Sequence, residues 1–154
     1  KLVRLIWRDR IMSNFKYTAG LSNVGSYLVS GAPFVSSSIE CNDGTGPVKI
    51  TFPYVTRWII VQNNSTTATE DLKVGFSSLG ITAHNNYFTI FNRQHADNAD
   101  RSSICPRLEL KLTEIYLTGS INVEVIAGLT NIPVERINNI SPSGSNWSGS
   151  SGVG

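Results

Sequence analysis

The chain has few charged residues and few of the side chains that most often carry chemistry. Lys, Arg, Asp and Glu make up 16% of its 154 residues, and there are two histidines and two cysteines. The formal net charge of +2 is too small to indicate nucleic-acid binding. So few charges indicate either that an interface buries part of the surface, or that the surface is neutral and rich in Ser, Thr and Asn.

The sequence lacks the marks of secretion and of membrane insertion. Cys41 and Cys105 are a low count for a disulfide-held domain, so we expect buried thiols that form no bridge. Residues 2–7 are apolar, but Arg4 interrupts them and no small-residue cleavage site follows, so they do not predict a signal peptide. No apolar run approaches the about 20 residues of a membrane-spanning helix.

Motifs of the common active sites are also lacking. No metal-ligand spacing, phosphate-binding glycine loop or nucleophile elbow is present. His84 and His95 flank a predicted strand, and Asp97 and Asp100 follow the second histidine, which would suit a metal or acid–base site. The same loop contains two arginines that can pair with these aspartates, which favours an ordinary polar loop. We therefore expect no enzyme, and no catalytic, cofactor-binding or metal-binding residue.

Short alternating segments fill the sequence between residues 47 and 130. Apolar and polar residues alternate with period two, and β-branched and aromatic residues are frequent, which predicts half-buried β-strands. Glu109, Glu114 and Glu124 alternate with apolar residues, so we expect them on solvent-facing sides. The chain is predicted to be all-β. The segments are 48–52, 57–62, 72–76, 86–90, 108–112 and 121–125.

Glycine and proline mark breaks in the first half of this pattern. Residues 26–30 predict a strand that Gly31 and Pro33 interrupt, which indicates a sheet edge or a bulge. Residues 41–47 carry the strongest turn signal of the chain. Pro53 then predicts that the strand after this turn ends there and that a separate strand follows.

The second half contains longer connections. Residues 77–85 are long enough to cross between two sheets, and the polar residues 92–106 predict an exposed loop. The apolar phase slips between Leu112 and Ile115, which indicates a bulge or a break between two strands. The last predicted strand covers residues 121–127, and Gly128 and Pro133 after it indicate that the strand pattern has ended.

The ends of the chain differ from its middle. We expect residues 1–25 to form an N-terminal arm, residues 26–133 a single domain, and residues 134–154 a Ser/Gly-rich extension. The alternatives are a solvated terminus, a disordered tail, and translation that starts at Met12. The candidate inter-subunit contacts in these ends are Arg4, Trp7, Arg8, Arg10 and Trp147.

The aromatic residues of the strands favour packing over nucleic-acid recognition. Nucleic-acid binding would need exposed aromatic residues interleaved with basic ones, whereas Trp58, Phe76, Tyr87 and Phe88 lie within apolar strand segments. Core or interface packing is the better interpretation. A lectin-like β-sandwich that binds carbohydrate through loop Asn, Asp and aromatic residues is the main alternative.

Five motifs, in their order along the chain, resemble those of single jelly-roll capsid proteins. The similar proteins are the penton and minor capsid proteins of large icosahedral double-stranded DNA viruses, of the nucleocytoplasmic type, and of virophages. The resemblance covers residues 27–133 and includes no catalytic signature. The motifs are Phe52-Pro-Tyr-Val-Thr-Arg-Trp58, Leu72-Lys-Val-Gly-Phe-Ser77, Asn86-Tyr-Phe88, Leu110-Lys-Leu-Thr-Glu-Ile-Tyr-Leu-Thr-Gly119 and Ala127-Gly-Leu-Thr-Asn-Ile-Pro133.

This resemblance implies a single jelly-roll β-sandwich of about eight antiparallel strands, one of them near residues 36–41. It further implies a structural protein of the virion capsid, assembled in the host cell as a homopentamer at the fivefold vertex. Its partners would be copies of itself and neighbouring capsid proteins, with no cofactor and no direct contact with nucleic acid. The alternative remains a lectin-like module, such as a virion attachment domain.

Overall fold

Seven β-strands dominate the part of the chain that the computed structural model describes, which is residues 25, 31–42, 44–83, 85–96 and 102–136. Two short helices, α1 (Ser78–Thr82) and α2 (Arg93–Ala96), and a 3-10 helix (Val134–Arg136) accompany them. The all-β prediction is confirmed. The strands are β1 (Pro33–Ile39), β2 (Val48–Thr51), β3 (Tyr54–Asn63), β4 (Leu72–Gly75), β5 (Tyr87–Ile90), β6 (Glu114–Thr118) and β7 (Val123–Pro133).

The strands form two antiparallel sheets that pack as a sandwich. Sheet A has the order β1-β7-β3, and sheet B has the order β2-β6-β4-β5. Residues 103–108 lie beside β3 as a further, irregular member of sheet A. Ile59 and Leu108 exchange two backbone hydrogen bonds of 2.9 Å, and the Cys105 N–H donates to the Val61 carbonyl at 2.9 Å.

With residues 103–108 counted, each sheet has four members in the described part of the chain, and the chain order is that of a jelly roll. β1, β3, residues 103–108 and β7 belong to sheet A, whereas β2, β4, β5 and β6 belong to sheet B. This alternation between the sheets is the double Greek key of jelly rolls. The expected single jelly roll of about eight antiparallel strands is therefore the observed fold.

The core lies between the sheets and follows from the period of two. Every second side chain of a strand points to one face, so alternating apolar residues from both sheets meet. Each fully buried Val, Leu or Ile contributes about 1.5–3 kcal/mol relative to exposure. The central residues are Ile59, Val61, Val123, Val125 and Ala127 from sheet A, and Leu72, Val74, Ile90, Ile115 and Leu117 from sheet B.

The phase slip after Leu112 marks the point at which the chain leaves sheet A for sheet B. Leu112 is buried next to β3, and its N–H donates to the Thr56 hydroxyl at 2.9 Å. The Thr56 hydroxyl donates in turn to the Leu110 carbonyl at 2.7 Å. β6 begins in the other sheet at Glu114. Of the two predicted explanations, the break between strands is correct.

The connection at residues 77–85 does not cross between sheets, contrary to expectation. It joins β4 to β5, which are antiparallel neighbours in sheet B, and contains α1. The Ser77 hydroxyl caps α1 by accepting from the Gly80 N–H at 2.9 Å. The buried Ile81 packs over Gly75, where a Cβ would come within 2.5 Å of Ile81 Cγ1. α1 therefore covers part of the outer face of sheet B.

Two further predictions about connections are wrong in part. Within residues 92–106, Asn92 is fully buried, and residues 103–106 belong to sheet A instead of an exposed loop. β7 does not end at Gly128 but continues to Pro133, because the Thr130 hydroxyl and the surrounding ladder hold it against β3.

The predicted edge position near Gly31 and Pro33 is confirmed. β1 starts at Pro33 and forms one end of the described sheet A, where a residue without an N–H is tolerated. Its register with β7 shifts between Ser36 and Ile39. The strand predicted at residues 26–30 lies outside the described residues.

Both cysteines are buried and neither forms a disulfide, as expected. Cys105 Sγ accepts a hydrogen bond from the Val61 N–H at 3.0 Å. Burial raises the pKa of the Cys105 thiol above its ordinary 9.0. At neutral pH this thiol is therefore protonated and packed in the core.

Candidate subunit interface

The residues predicted as subunit contacts lie outside the described part of the chain. These are Arg4, Trp7, Arg8, Arg10 and Trp147. His84, Asp97 and Asp100, which were considered for a metal or acid–base site, lie outside it as well. In the described ranges, no three His, Cys, Asp or Glu side chains are grouped so that they could hold a metal ion.

An apolar row crosses the outer face of sheet A. Val35, Ile126 and Ile60 are direct neighbours across β1, β7 and β3. Val125 and Ala127, the residues before and after Ile126 in β7, are both buried in the core. Because side chains alternate along a strand, this row points away from the core. Val35 is 66% exposed and Ile126 is 37% exposed, whereas Ile60 is half-buried. We call these three residues the apolar face.

Trp58 extends the apolar face on one side. It pairs with Gly128 in the next row of the ladder, and its indole lies over that glycine. The Arg107 guanidinium lies 5.0 Å from the centre of the Trp58 rings, within the range of a cation–π contact. Arg107 also pairs with Glu109 at 2.6 Å. These contacts hold the half-buried indole between Gly128 and Arg107.

Polar residues border the apolar face on the other side. Glu124 pairs with Gln62 in the register of β7 and β3 and lies two residues before Ile126. The Gln62 amide donates to Asn64 Oδ1 at 2.8 Å. Among the described residues, no Lys or Arg forms an ion pair with the Glu124 carboxylate. The border therefore carries one negative charge with no compensating cation from this part of the chain.

A cluster of three polar side chains occupies one edge of sheet B. Lys49 forms an ion pair with Glu114, and the Tyr116 hydroxyl donates to the same carboxylate at 3.0 Å. The hydrogen bond to Glu114 raises the pKa of Lys49, and burial, followed by that carboxylate, raises the pKa of Tyr116. Lys49 is therefore protonated and Tyr116 neutral at neutral pH, so neither suits general acid–base work there.

Glu114 lies on the solvent-facing side of its strand, as predicted, but it is buried there by its neighbours. Its side chain is on the outer face of sheet B, as the alternation requires, but only 9% of the side chain is exposed. The long side chains of Lys49 and Tyr116 cover it. Glu109 is exposed, and Glu124 is half-buried on the outer face of sheet A, where the alternation places it.

The centre of the outer face of sheet B combines a lysine with apolar groups. Lys73 is exposed, and its Nζ lies 4.7 Å from the centre of the Tyr87 ring. Tyr87 pairs with Gly75, over which Ile81 of α1 packs. Leu79 of α1 is 56% exposed.

An open apolar groove lies between the edges of the two sheets. It has a volume of about 300 Å³. Phe76 and Phe88 also pack against the buried core, as their sequence positions predict. The lining has no side-chain hydrogen-bonding group, so the groove provides no acid, base or nucleophile. The lining residues are Phe76, Phe88, Pro106, Leu108 and Leu110.

A buried polar network joins the loop after β3 to the sheets. The Asn63 amide donates to the carbonyls of Glu70 at 2.8 Å and Ile90 at 3.3 Å. Asn63 Oδ1 accepts from the Ser65 N–H at 3.1 Å and from the Ser120 hydroxyl at 2.7 Å. The Ser65 hydroxyl donates to the Glu70 carboxylate. Ser65 and Glu70 are both more than nine-tenths buried, so this pair holds the loop after β3 in place.

The sequence contained a signal for the apolar face that simple alternation does not capture. Residues 58–61 and 125–127 are continuous apolar runs, and such runs indicate strands that are apolar on both faces. Ile59, Val61, Val125 and Ala127 pack in the core. Ile60 and Ile126 belong to the apolar face, and Trp58 borders it.

Comparison with protein-family models, with curated proteins and with solved structures finds no match to this chain. None of the helices in the described residues has the length and apolar character needed to cross a membrane.

Proposed function

We propose that this protein is a structural capsid protein, a penton that forms a homopentamer at the fivefold vertex of an icosahedral virion. Two observations support the proposal together. The five sequence motifs resemble those of capsid proteins, and the described residues form a jelly roll. The observation that carries it is the apolar face of Val35, Ile60 and Ile126 on the outside of sheet A.

An exposed apolar row of this kind supports a role in assembly. Contiguous apolar surface bordered by polar residues marks protein interaction sites in soluble domains. Here the row is bordered by Trp58, stacked with Arg107, on one side and by Glu124 on the other. Aromatic residues and arginine are enriched at the centres of interfaces. The low overall charge of the chain agrees with a surface that is partly covered by neighbours.

The test is the solution mass of the purified chain by light scattering over a concentration series, with electron microscopy of the oligomer. We expect a closed ring of five copies. Val35→Asp and Ile126→Asp should weaken association because each places a carboxylate in the apolar face. Ile121→Asp is the matched control, since Ile121 is 45% exposed in the turn before β7.

A chain that stays monomeric at every concentration would contradict the pentamer. Equal weakening by Ile121→Asp would contradict the role of the apolar face. Binding of the monomer to a glycan array would instead favour the lectin-like alternative.

A further inference from the structure

The two outer faces of the sandwich are complementary in charge. On sheet A, Glu124 borders the apolar face, and no cation of the described residues pairs with it. On sheet B, Lys73 is exposed and contacts the Tyr87 ring, and no carboxylate of the described residues pairs with it. Two further pairs of charges in the described residues are compensated locally, since Arg107 pairs with Glu109 and Lys49 pairs with Glu114.

The same two faces also match in their apolar parts. Beside Glu124, the apolar face presents Val35 and Ile126. Beside Lys73, sheet B presents Tyr87 and the exposed Leu79 of α1, which is held in place because Ile81 packs over Gly75. Each face therefore carries an apolar centre next to one charge, and the two charges have opposite signs.

We propose that the apolar face of one copy packs on α1 and Tyr87 of the next copy, with Glu124 of the first copy paired to Lys73 of the second. This inference rests on the proposed function and specifies its subunit contact. The contact joins two different surfaces and is heterologous. Repetition of a heterologous contact closes a ring when the rotation between copies divides a full turn.

A contact of the apolar face with its own copy is disfavoured by the same charges. A two-fold contact of this kind would bring two uncompensated Glu124 carboxylates into one interface. Juxtaposed like charges oppose association, whereas opposite charges fix the register of the partners. In the proposed contact, the Lys73 ammonium pairs with the Glu124 carboxylate and also retains its contact with the Tyr87 ring.

The experiment is a charge swap in the full chain, read by sedimentation and light scattering. Glu124→Lys alone and Lys73→Glu alone should each weaken association by about tenfold or more, since each places like charges together. The double variant carrying both changes in every copy should regain most of the wild-type affinity. Glu135→Lys, at an exposed position of the 3-10 helix, is the matched control and should leave association unchanged.

The outcomes separate this inference from the proposed function. Restoration in the double variant supports the heterologous contact, because a contact between identical faces would remain repulsive. The contact is overturned, and the pentamer stands, if the wild-type chain forms a ring and neither single change weakens it. The same conclusion holds if the single changes weaken the ring and the double variant does not restore association. A wild-type chain that never associates overturns both. Circular dichroism of each variant verifies that it is folded.

Discussion

The indole of Trp58 lies over Gly128, its partner across the ladder of β3 and β7. A Cβ atom at position 128 would come within 2.6 Å of Trp58 Cε2, which is closer than real Cβ contacts. A glycine here lets the large ring lie against the backbone of β7. The apolar face next to this pair depends on the same ladder rows.

Gly128→Ala should therefore destabilise the fold by about 1–3 kcal/mol, because the added methyl group displaces the indole or separates the strands. Chemical denaturation of the variant measures this cost. A double-mutant cycle with Trp58→Ala identifies its origin, since Gly128→Ala should cost much less once the indole is removed. An equal cost in both backgrounds would contradict the contact as the cause.

The Thr56 hydroxyl provides the second test, at the point where the chain leaves sheet A. It donates to the Leu110 carbonyl and accepts from the Leu112 N–H, and Thr56 is fully buried. Thr56→Val keeps the shape of the side chain but leaves both backbone groups without this partner. We expect a loss of about 1–3 kcal/mol in the free energy of unfolding.

Thr56→Ser is the control for this prediction, because it keeps the hydroxyl and removes only the methyl group. The serine variant should unfold at a denaturant concentration closer to that of the wild type than the valine variant does. Equal stability of the wild type and the valine variant would mean that the two hydrogen bonds add nothing to stability.

The fold class could be predicted from the sequence because most strands alternate clearly between apolar and polar residues. β2, β4 and β5 lie within one or two residues of their predicted segments. The alternation has a direct physical cause, since one side of each of these strands packs in the core. The jelly-roll order came only from the resemblance, because local alternation does not state which strands pair.

Residues 103–107 were not predicted as part of a sheet for a related reason. Their polar neighbours and Pro106 indicate a loop, and the pairing with β3 uses a few long-range hydrogen bonds instead of a regular ladder. The side chains of the apolar face were also missed as a surface. A sequence window cannot show that Val35, Ile60 and Ile126 form one row, because register joins them across three strands.

The Asn63 amide offers a third prediction, in the buried network after β3. Its nitrogen donates to two carbonyls, those of Glu70 and Ile90. Asn63→Asp keeps the size of the side chain but replaces the donor with an acceptor and buries a negative charge. We expect a loss of about 3 kcal/mol or more in the free energy of unfolding at neutral pH.

Asn122→Asp is the matched control, since Asn122 is exposed in the turn before β7. The same chemical change there should alter stability by no more than about 0.5 kcal/mol. If the two variants unfold at the same denaturant concentration, Asn63 does not act as the donor that the geometry indicates.

The Cys105 thiol makes the stability of the sandwich depend on alkaline pH. Burial raises its pKa in the folded state above the ordinary 9.0, and two backbone hydrogen bonds oppose this rise only in part. Between the unfolded and the folded pKa, the unfolded chain has released this proton while the folded chain still binds it. The stabilising contribution is therefore complete below about pH 9 and is lost as the pH rises through the folded pKa.

We expect the free energy of unfolding to fall more steeply above pH 9 in the wild type than in Cys105→Ser. The serine keeps an acceptor for the Val61 N–H, which the thiol engages at 3.0 Å, but does not titrate in this range. Urea unfolding of both proteins at several pH values between 7 and 11 measures the difference. Tyr116 and Lys49, whose pKa values are also raised, titrate in both proteins, so their contributions cancel in the comparison. Parallel curves over the whole range would show that ionisation of Cys105 is not coupled to unfolding.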